Sequence, residues 1–410
     1  MSAVPWFSAL FLVLVARQAA SLPLEAQQHS PLHGRVSVKC SSLKQRVNWN
    51  SLSAAQKQSY FDAVKCLTTK PSQTAISASQ SLYDDFPSIH IQQNHNIHSV
   101  AAFLPWHRRF VQAREKALQS CGYTGPTPYW DWTKAADTGN PKIDPIFSPI
   151  DGFGGSGDGE SPNTVTQGPF SHFALDIMPG DDDEPYSDPH MLRRNFENNP
   201  FLIGNFNSTA VQKGQAIAAF NDYRYYVEGT PHGAVHQYIA GDMGPASSPN
   251  EPLFFLHHAQ IDRLWALWQD EDIKRLSDYA GNLPGASTHD GPFQATIDDM
   301  LPSFGNLIDQ VSVRNVMDTR AGDLCYEVSK ARQLGPRHPC KIGLTLFCLA
   351  VCLTAALLHR AQHRPNVGET CRIEVGKIQM RCSGRKRVRT KVRKEAWLSI
   401  IVDYLSKAIR

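Results

Sequence analysis

The 410-residue sequence lacks several patterns that would define other kinds of protein. Few runs alternate β-branched and polar residues, so we expect little sheet. No internal repeat is present, which excludes a repeat architecture. The glycine-rich stretch DGFGGSGDGESP (151–162) is not followed by Gly-Lys-Ser/Thr, so it is not a phosphate-binding loop. The acidic run GDDDEPYSDP (180–189) is interpreted as a solvated loop.

Charge divides the chain into two parts. The formal net charge is +3, but from Ser329 onward there are 18 lysines and arginines against 4 acidic residues, which leaves an acidic body before them. Residues 329–410 form an atypical basic tail with an unbroken apolar segment at 342–358 and a basic run at 385–394. Three interpretations stay open for this tail: a membrane anchor with a positive flank, non-native sequence such as a translated intron, and an ordinary domain.

The N-terminus is apolar from Val4 to Val15 and continues into small residues. We interpret residues 1–20 as a signal peptide that is removed on secretion, with a buried N-terminal helix as the alternative. The predicted location is therefore extracellular, with membrane anchoring through residues 342–358 as the other interpretation. The sequon Asn207-Ser208-Thr209 is consistent with a secreted glycoprotein.

The acidic body contains an even number of cysteines: Cys40, Cys66, Cys121 and Cys325. Four cysteines suit two disulfides in an oxidising compartment, and they allow three pairings. The sequence does not select among the three, and Cys66–Cys121 with Cys40–Cys325 is a guess.

Apolar residues recur at helical spacing in four segments of the body. The first follows a cap at Ser51 or Ser53, the second runs from Pro105 to Gly122, and the others cover roughly 212–228 and 250–270. A long loop region, 124–208, separates the second from the third. We therefore predict a mainly α fold with a four-helix-bundle core, long loops and little β structure.

Sixteen histidines are present, and several are concentrated in two groups. The first group is His90, His98 and His107, with His95 between them, and the second is His232, His236, His257 and His258.

His232 and His236 are four residues apart, which places both imidazoles on one face of a helix and within reach of one metal ion. A third ligand must come from elsewhere, and His258 is the best candidate. A zinc-protease motif is excluded because Gly233 and Ala234 stand where its catalytic glutamate would be.

His98 and His107 are nine residues apart, so they would lie on opposite sides of one continuous helix. We expect them to come from separate segments that converge. Two sets of three imidazoles, with no cysteine or carboxylate, suit Cu, Zn, Fe or Ni, and two such sets in one helical core suit a pair of coppers. A zinc-binding structural or hydrolytic protein is an alternative.

Several motifs resemble those of the tyrosinase/catechol oxidase family. HSVAAFLPWHRRFVQARE (98–115) is similar to its first copper signature, and EPLFFLHHAQID (251–262) is similar to its second, with Glu251 where aspartate is usual. PYWDW (128–132) and LCY (324–326) resemble short fungal members. The resemblance covers residues 40–328, which we therefore expect to be a tyrosinase-like copper-binding domain.

The resemblance implies a type 3 centre of two copper ions. By position, His90, His98 and His107 would bind one copper, and His232, His236 and His258 would bind the other. Around these ligands, Asp262 would anchor the helix and His257 would point to another face. His95 is not expected to be a ligand. Glu228 stands where many relatives carry a glutamate that holds a water, so it is the candidate catalytic residue; a surface carboxylate at a helix end is the alternative.

The resemblance also implies the reaction: oxidation of o-diphenols to o-quinones, with O2 reduced to water. Monophenols and o-aminophenols are further candidate substrates. Members with strong monophenol activity often carry asparagine at the position of Gly233, so the glycine favours diphenol or o-aminophenol oxidation here. The alternative is a haemocyanin-like oxygen-binding protein. The predicted partners are a small phenol and O2, with no nucleic acid, and a membrane only through the tail; no oligomeric state is predicted.

Overall fold

The computed structural model describes residues 40–158, 163–285 and 294–328, together with the backbone of 371–374 and 379–382. The chain divides into two units between Ala331 and Arg332. The predicted signal peptide at 1–20, the apolar segment 342–358 and the basic run 385–394 lie outside the described residues, so these predictions stay untested.

Helices dominate the first unit. Its α-helices are α1 (Ala54–Cys66), α2 (Leu82–Ile97), α3 (Phe103–Ser120), α4 (Thr133–Ala136), α5 (Pro200–Gly204), α6 (Ser208–Gln215), α7 (Phe220–Val227), α8 (Gly233–Ile239), α9 (Phe254–Asp270) and α10 (Arg314–Met317). A π-helical turn, Glu228–His232, joins α7 to α8. Short 3-10 turns lie at Trp49–Ser51, Leu67–Thr69, Pro141–Ile143, Pro145–Phe147, Asp181–Asp183, Gly241–Met243, Ser248–Asn250 and Ile273–Leu276.

Strands are short, as the sequence predicted. They are β1 (Lys44–Asn48), β2 (Pro128–Tyr129), β3 (Ala174–Pro179), β4 (Pro185–Met191) and β5 (Tyr326–Val328), with β6 (Cys371–Glu374) and β7 (Gln379–Cys382) in the second unit. β1 pairs in parallel with both β2 and β5, so the two ends of the first unit's described chain meet in one small sheet. β3 and β4 form an antiparallel hairpin, and so do β6 and β7.

Local signals explain where the main helices begin and end. The Ser53 hydroxyl accepts a hydrogen bond from the Gln56 backbone N–H, and the Gln56 side chain accepts one from the Ser53 N–H, which is a capping box. α3 is followed by Gly122 at φ +83°, a left-handed conformation that glycine adopts without steric cost.

The core is formed by α2, α3, α9 and the continuous course from α7 through the π-helical turn to α8. Its packing side chains include fully buried Trp106, Phe110 and Trp265. Trp106 stacks on Phe110 with ring centroids 4.5 Å apart, as offset aromatic pairs prefer. The prediction of a mainly helical protein with a four-helix core is confirmed.

The predicted helix at 212–228 is wrong in extent, because the chain leaves the helix after Gln215 and re-enters it at Phe220. The Trp268 indole N–H donates to the Ile217 carbonyl at 2.7 Å, and Asp278 accepts from the Phe220 N–H at 3.0 Å. These contacts satisfy backbone groups at the break, so tertiary hydrogen bonds replace those of about one helical turn. α2 was not predicted as a helix.

Two disulfides close the first unit, and they are the guessed pairs. Cys40 is bonded to Cys325 and Cys66 to Cys121. Both are compatible with an extracellular location. Among the described residues, no helix combines the length and apolar character needed to cross a bilayer.

Candidate metal centre

The first histidine group converges from two helices. His90 lies within α2, His98 follows the last residue of that helix, and His107 lies within α3. Their ring centroids are 5.0 to 5.6 Å apart, and each offers a nitrogen within 4.8 Å of the others. The Nε2 atoms of His90 and His107 are 3.4 Å apart. The expected convergence of separate segments is therefore observed.

The second group is assembled by the π-helical turn, α8 and α9. His232 ends the π-helical turn, His236 lies on α8 and His258 lies on α9. The ring centroids of His232 lie 4.5 Å from His236 and 5.0 Å from His258. A π-helical turn shifts the side chains that follow it and is frequent at functional sites. Pro231 lies inside this turn, where a residue without a backbone N–H donor fits the widened hydrogen-bond pattern.

The two groups adjoin each other in the core. The rings of His107 and His258 stack with centroids 4.4 Å apart, and His98 lies 6.2 Å from His232. Phe254 lies beneath both groups, 4.1 Å from His258 and 5.2 Å from the His90 ring. The arrangement is therefore one six-imidazole site with two halves, enclosed on this side by an aromatic ring.

Backbone carbonyls orient five of the six imidazoles. Each carbonyl lies within hydrogen-bonding distance of a ring Nδ1: Ala246 with His90 at 2.6 Å, Asn94 with His98 at 3.1 Å, Phe103 with His107 at 2.8 Å, Glu228 with His232 at 3.0 Å and Met243 with His236 at 2.7 Å. A carbonyl can only accept, so each Nδ1 must carry the proton, and the lone pair is left on Nε2. His258 is the exception, because neither of its nitrogens has a hydrogen-bond partner.

The free nitrogens fit metal ions. The Nε2 atoms of His232, His236 and His258 are buried without a hydrogen-bond partner, which would be costly unless a ligand satisfied them. Burial lowers the pKa of all six imidazoles, to about 4 for His98 and His236. A neutral imidazole whose lone pair is free of a hydrogen bond is the form that binds copper or zinc.

His257 also lies within this cluster, but its hydrogen bond differs from those of the ligand candidates. The Trp132 indole N–H donates to His257 Nδ1 at 3.2 Å, and both residues are fully buried. Because Nδ1 accepts, a neutral His257 carries its proton on Nε2, which then has no lone pair for a metal. His257 lies beside the centre, 5.5 Å from the His232 ring, and its buried Nε2 has no hydrogen-bond partner.

Asp262 lies at the centre of a buried ion-pair network. Its carboxylate accepts hydrogen bonds from Arg46, Arg108 and the Tyr326 hydroxyl. Burial alone would raise its pKa, but the charges of Arg108 and Arg46 hold the pKa below the ordinary aspartate value. Asp262 thereby joins α9 to α3, β1 and β5, which agrees with its expected role as a helix anchor.

Glu251 replaces the aspartate usual in the second signature, and the longer side chain still serves the start of α9. Its carboxylate accepts the Leu253 backbone N–H at 3.0 Å and two bonds from Arg194, each 2.7 Å. Glu251, Leu253 and Arg194 are all buried, and the bidentate contact with Arg194 provides a hydrogen-bond donor for each carboxylate oxygen.

Glu228 is the first residue of the π-helical turn. The Ser99 backbone N–H donates to its Oε1 atom, and Arg224 donates to Oε2 at 3.3 Å. Burial raises the pKa of Glu228 to about 7, against the lowering effects of Ser99 and Arg224. Glu228 therefore links the turn that carries His232 to Ser99, the residue after His98.

An open cavity of about 640 Å3 reaches His236 from the surface. Residues of α5, the π-helical turn, α8 and the loop after it line this cavity, including Gly229 and Ala234. Gly233 lies beside it along the chain and is partly exposed, and a Cβ added there would meet only the Glu228 carbonyl, at 3.3 Å. His95 is away from the centre, with an 86% exposed side chain that contacts Asp183.

Sequence reasoning missed several residues that position the centre. Trp132, Arg108 and Tyr326 had no assigned role, although they lie in the stretches PYWDW, HRRF and LCY. The available signal was a tryptophan or an arginine within an apolar run. Such a residue is expected to be buried, and its N–H groups then need a buried hydrogen-bond partner.

Comparison with known proteins identifies the family. Residues 80–271 match the model for the common central domain of tyrosinase. A tyrosinase-like protein of Diaporthe leptostromiformis is 37% identical over 318 residues, covering 70% of this chain and 80% of that protein. An N-acetyl-6-hydroxytryptophan oxidase of Emericella nidulans is 31% identical over 338 residues, covering 68% and 91%. The structure of a polyphenol oxidase from Thermothelomyces thermophila aligns with a TM-score of 0.60 at 30% identity, covering 70% and 89%. The chain therefore belongs to the tyrosinase family, whose members are type 3 dicopper oxidoreductases that act on phenols with O2.

Proposed function

We propose that this protein oxidises o-diphenols and o-aminophenols to the corresponding o-quinones and o-quinone imines, using two copper ions and reducing O2 to water. Two substrate molecules supply the four electrons that one O2 needs. The observation that carries the proposal is the cavity that opens on His236, one of six converging imidazoles. The cavity is open to solvent and includes one ligand candidate in its lining, so we propose it as the route by which a small ring approaches the centre.

The side chains of this chain would hold one copper with His90, His98 and His107 and the other with His232, His236 and His258. When bound there, copper would supply the redox chemistry that links phenol oxidation to O2 reduction. The Nδ1 hydrogen bonds to backbone carbonyls fix each ring, so the free nitrogens need not reorient when metal binds. Phe254 excludes water beneath the site.

Glu228 is the proposed proton acceptor. A pKa of about 7 lets a carboxylate accept a phenolic proton and release it again near neutral pH. Its two oxygens are already held by Ser99 and Arg224, so its position is set before substrate arrives. We propose that Glu228 acts through a water held near His232.

The glycine at position 233 supports a preference for o-diphenols and o-aminophenols over monophenols. Unlike asparagine, Gly233 has no side-chain amide that could orient a water between Glu228 and the substrate. Deprotonation of a monophenol depends most on such a water, since catechols and aminophenols are easier to oxidise directly. We therefore propose weak monophenol activity.

The proposal is tested by assaying the full-length, copper-loaded protein with 4-methylcatechol, o-aminophenol and tyrosol. We expect o-quinone absorbance with 4-methylcatechol and o-quinone imine absorbance with o-aminophenol. We also expect an O2 uptake of one molecule per two substrate molecules, and a much slower reaction with tyrosol. Reversible O2 binding without turnover of any substrate would instead support the haemocyanin-like alternative.

A further inference from the structure

The cavity that opens on His236 is larger than a catechol ring requires. Its volume is about 640 Å3, and cavities of about 300–1,000 Å3 hold drug-sized ligands. A ring that docks beside His236 would leave space toward α5 and the segment before it. That remaining space must accommodate whatever the ring carries, so its lining indicates the chemistry of the substituent.

The lining carries a single formal charge, since the imidazole of His236 is neutral. Glu197 supplies that charge, and no lysine or arginine lines the cavity. The other polar side chains there are amides: Asn199, Asn205 and Gln237. Within the described part of the chain, the Glu197 carboxylate has neither a salt-bridge partner nor a hydrogen-bond donor, so it is available to a ligand.

Glu197 is held in place although its side chain is exposed. Its backbone N–H donates to the carbonyl of Tyr238, on α8, at 2.9 Å. α8 also carries His236, so the carboxylate and the metal-ligand candidate are attached to the same helix. The position of Glu197 relative to the centre is therefore set by the fold and not by a free loop.

The first residues of α5 contribute apolar side chains to the same cavity lining as Glu197. Phe201 is 80% exposed, which is unusual for a phenylalanine, and it lines the same cavity with Leu202. Phe201 and Leu202 therefore give this part of the cavity an apolar lining, which suits an apolar part of a ligand. A chain that links a phenol ring to a charged group offers such a part.

We propose that this cavity selects phenols whose ring substituent ends in a cationic amine, with Glu197 accepting the ammonium and Phe201 contacting the linker. This inference rests on the proposed catechol oxidation and names its substrate class. Glu197 is a specificity-determining residue in this proposal and takes no part in the oxidation. An anionic substituent is disfavoured at the same place, because it would approach an unpaired carboxylate.

The test compares kcat/KM of the copper-loaded full chain for dopamine, 4-methylcatechol and 3,4-dihydroxyphenylacetate, which carry positive, zero and negative charge. Because the pair is partly solvated, Glu197→Gln should lower kcat/KM for dopamine by about two- to five-fold, mainly through KM. It should raise the value for the acid by a similar factor and leave 4-methylcatechol unchanged. Raising the salt concentration should weaken the wild-type preference.

Glu271→Gln, which neutralises an exposed glutamate outside the cavity, is the control and should change none of the three values. Glu197→Lys should reverse the order of dopamine and the acid. An equal effect of Glu197→Gln on all three catechols, or no effect, overturns the inference. If the wild type oxidises none of the three, the proposed function itself fails, so the two failures are distinguishable.

Discussion

At the scale of single residues, the candidate centre depends on which nitrogen of each imidazole is free. A carbonyl beside Nδ1 leaves Nε2 available in His90 and His107, for example, whereas an indole N–H at Nδ1 does the opposite in His257. His257 and His258 are neighbours on α9 with identical side chains. The hydrogen bond from Trp132 nevertheless fixes the tautomer of His257, whereas no hydrogen bond fixes that of His258.

This difference predicts the copper content of three variants. His107→Ala and His258→Ala should each bind one copper instead of two and lose nearly all oxidase activity, because each removes one of three ligands. His257→Gln keeps an acceptor for Trp132 and should retain two coppers. Metal analysis of the purified, reconstituted proteins measures this, and two coppers in His258→Ala would show that the ligand set is wrong.

A second prediction concerns Gly233. Replacing it with asparagine places an amide next to Glu228, and the cavity side of the turn has room for it apart from the Glu228 carbonyl at 3.3 Å. We expect Gly233→Asn to raise the ratio of monophenol to diphenol activity several-fold. Gly233→Ala is the matched control, since it adds bulk without an amide. An identical ratio in both variants and the wild type contradicts a water-orienting role.

Much of the site was predictable at this scale, and the reason is spacing. The four-residue spacing of His232 and His236 predicted that they face one site, and the motif around His258 supplied the third candidate ligand. The role of Trp132 was not predictable, because its partner His257 is 125 residues away in the chain. Hydrogen bonds over such separations are fixed by packing and leave no local pattern.

At the scale of elements, α3 and α9 are the two helices that carry His107 and His258, and one carboxylate joins them. Asp262 accepts from Arg108 on α3 and from Arg46 on β1. Arg108 also donates to the carbonyls of Val316 and Met317, at 2.8 and 2.9 Å. The separation of α3 and α9 therefore depends on a network that lies one helical turn from His258.

Breaking this network should destabilise the protein strongly. Asp262→Ala leaves two buried guanidinium groups without their carboxylate, and removal of one partner from a buried pair costs about 3–5 kcal/mol. Urea denaturation followed by tryptophan fluorescence measures the free energy of unfolding. Asp298→Ala, which breaks the exposed pair with Arg314, should change it little. Equal effects of the two substitutions would argue against the anchoring role.

Helix prediction succeeded where local signals were complete and failed where they were not. α1 and α3 were found from a serine cap and a terminal glycine. α2 was missed because Pro87 lies inside it, although Ser81 and Asp84 form a capping box that marks its start. The break between α6 and α7 was missed because Trp268 and Asp278 satisfy it from distant positions.

At the scale of the whole molecule, the disulfides close loops of very different length. Cys66–Cys121 spans 55 residues, whereas Cys40–Cys325 spans 285 and joins the segments that precede β1 and β5. In the chain-entropy model, the shorter loop contributes about 4 kcal/mol and the longer loop about 5–6 kcal/mol.

Paired Cys→Ala substitutions test this ordering. We expect removal of Cys40–Cys325 to lower the free energy of unfolding by more than removal of Cys66–Cys121, because the released chain is longer. Denaturant titration of the two double variants and the wild type gives both values. A larger loss for Cys66/Cys121 would show that native-state contacts, rather than chain entropy, determine the effect.

The division into an acidic body and a basic tail was visible in the sequence, because charge and composition change together near Ser329. The small sheet that joins β1 to β2 and β5 was not, since its strands have 2 to 5 residues and pair across most of the body. Short strands carry too few residues for a period to show.

The most direct test of the two-copper centre is an anomalous difference map from a crystal of the copper-loaded protein, recorded at the copper absorption edge. We expect two peaks, one bounded by His90, His98 and His107 and the other by His232, His236 and His258. A single peak, or a second peak bound through His257 in place of His258, would contradict this expectation.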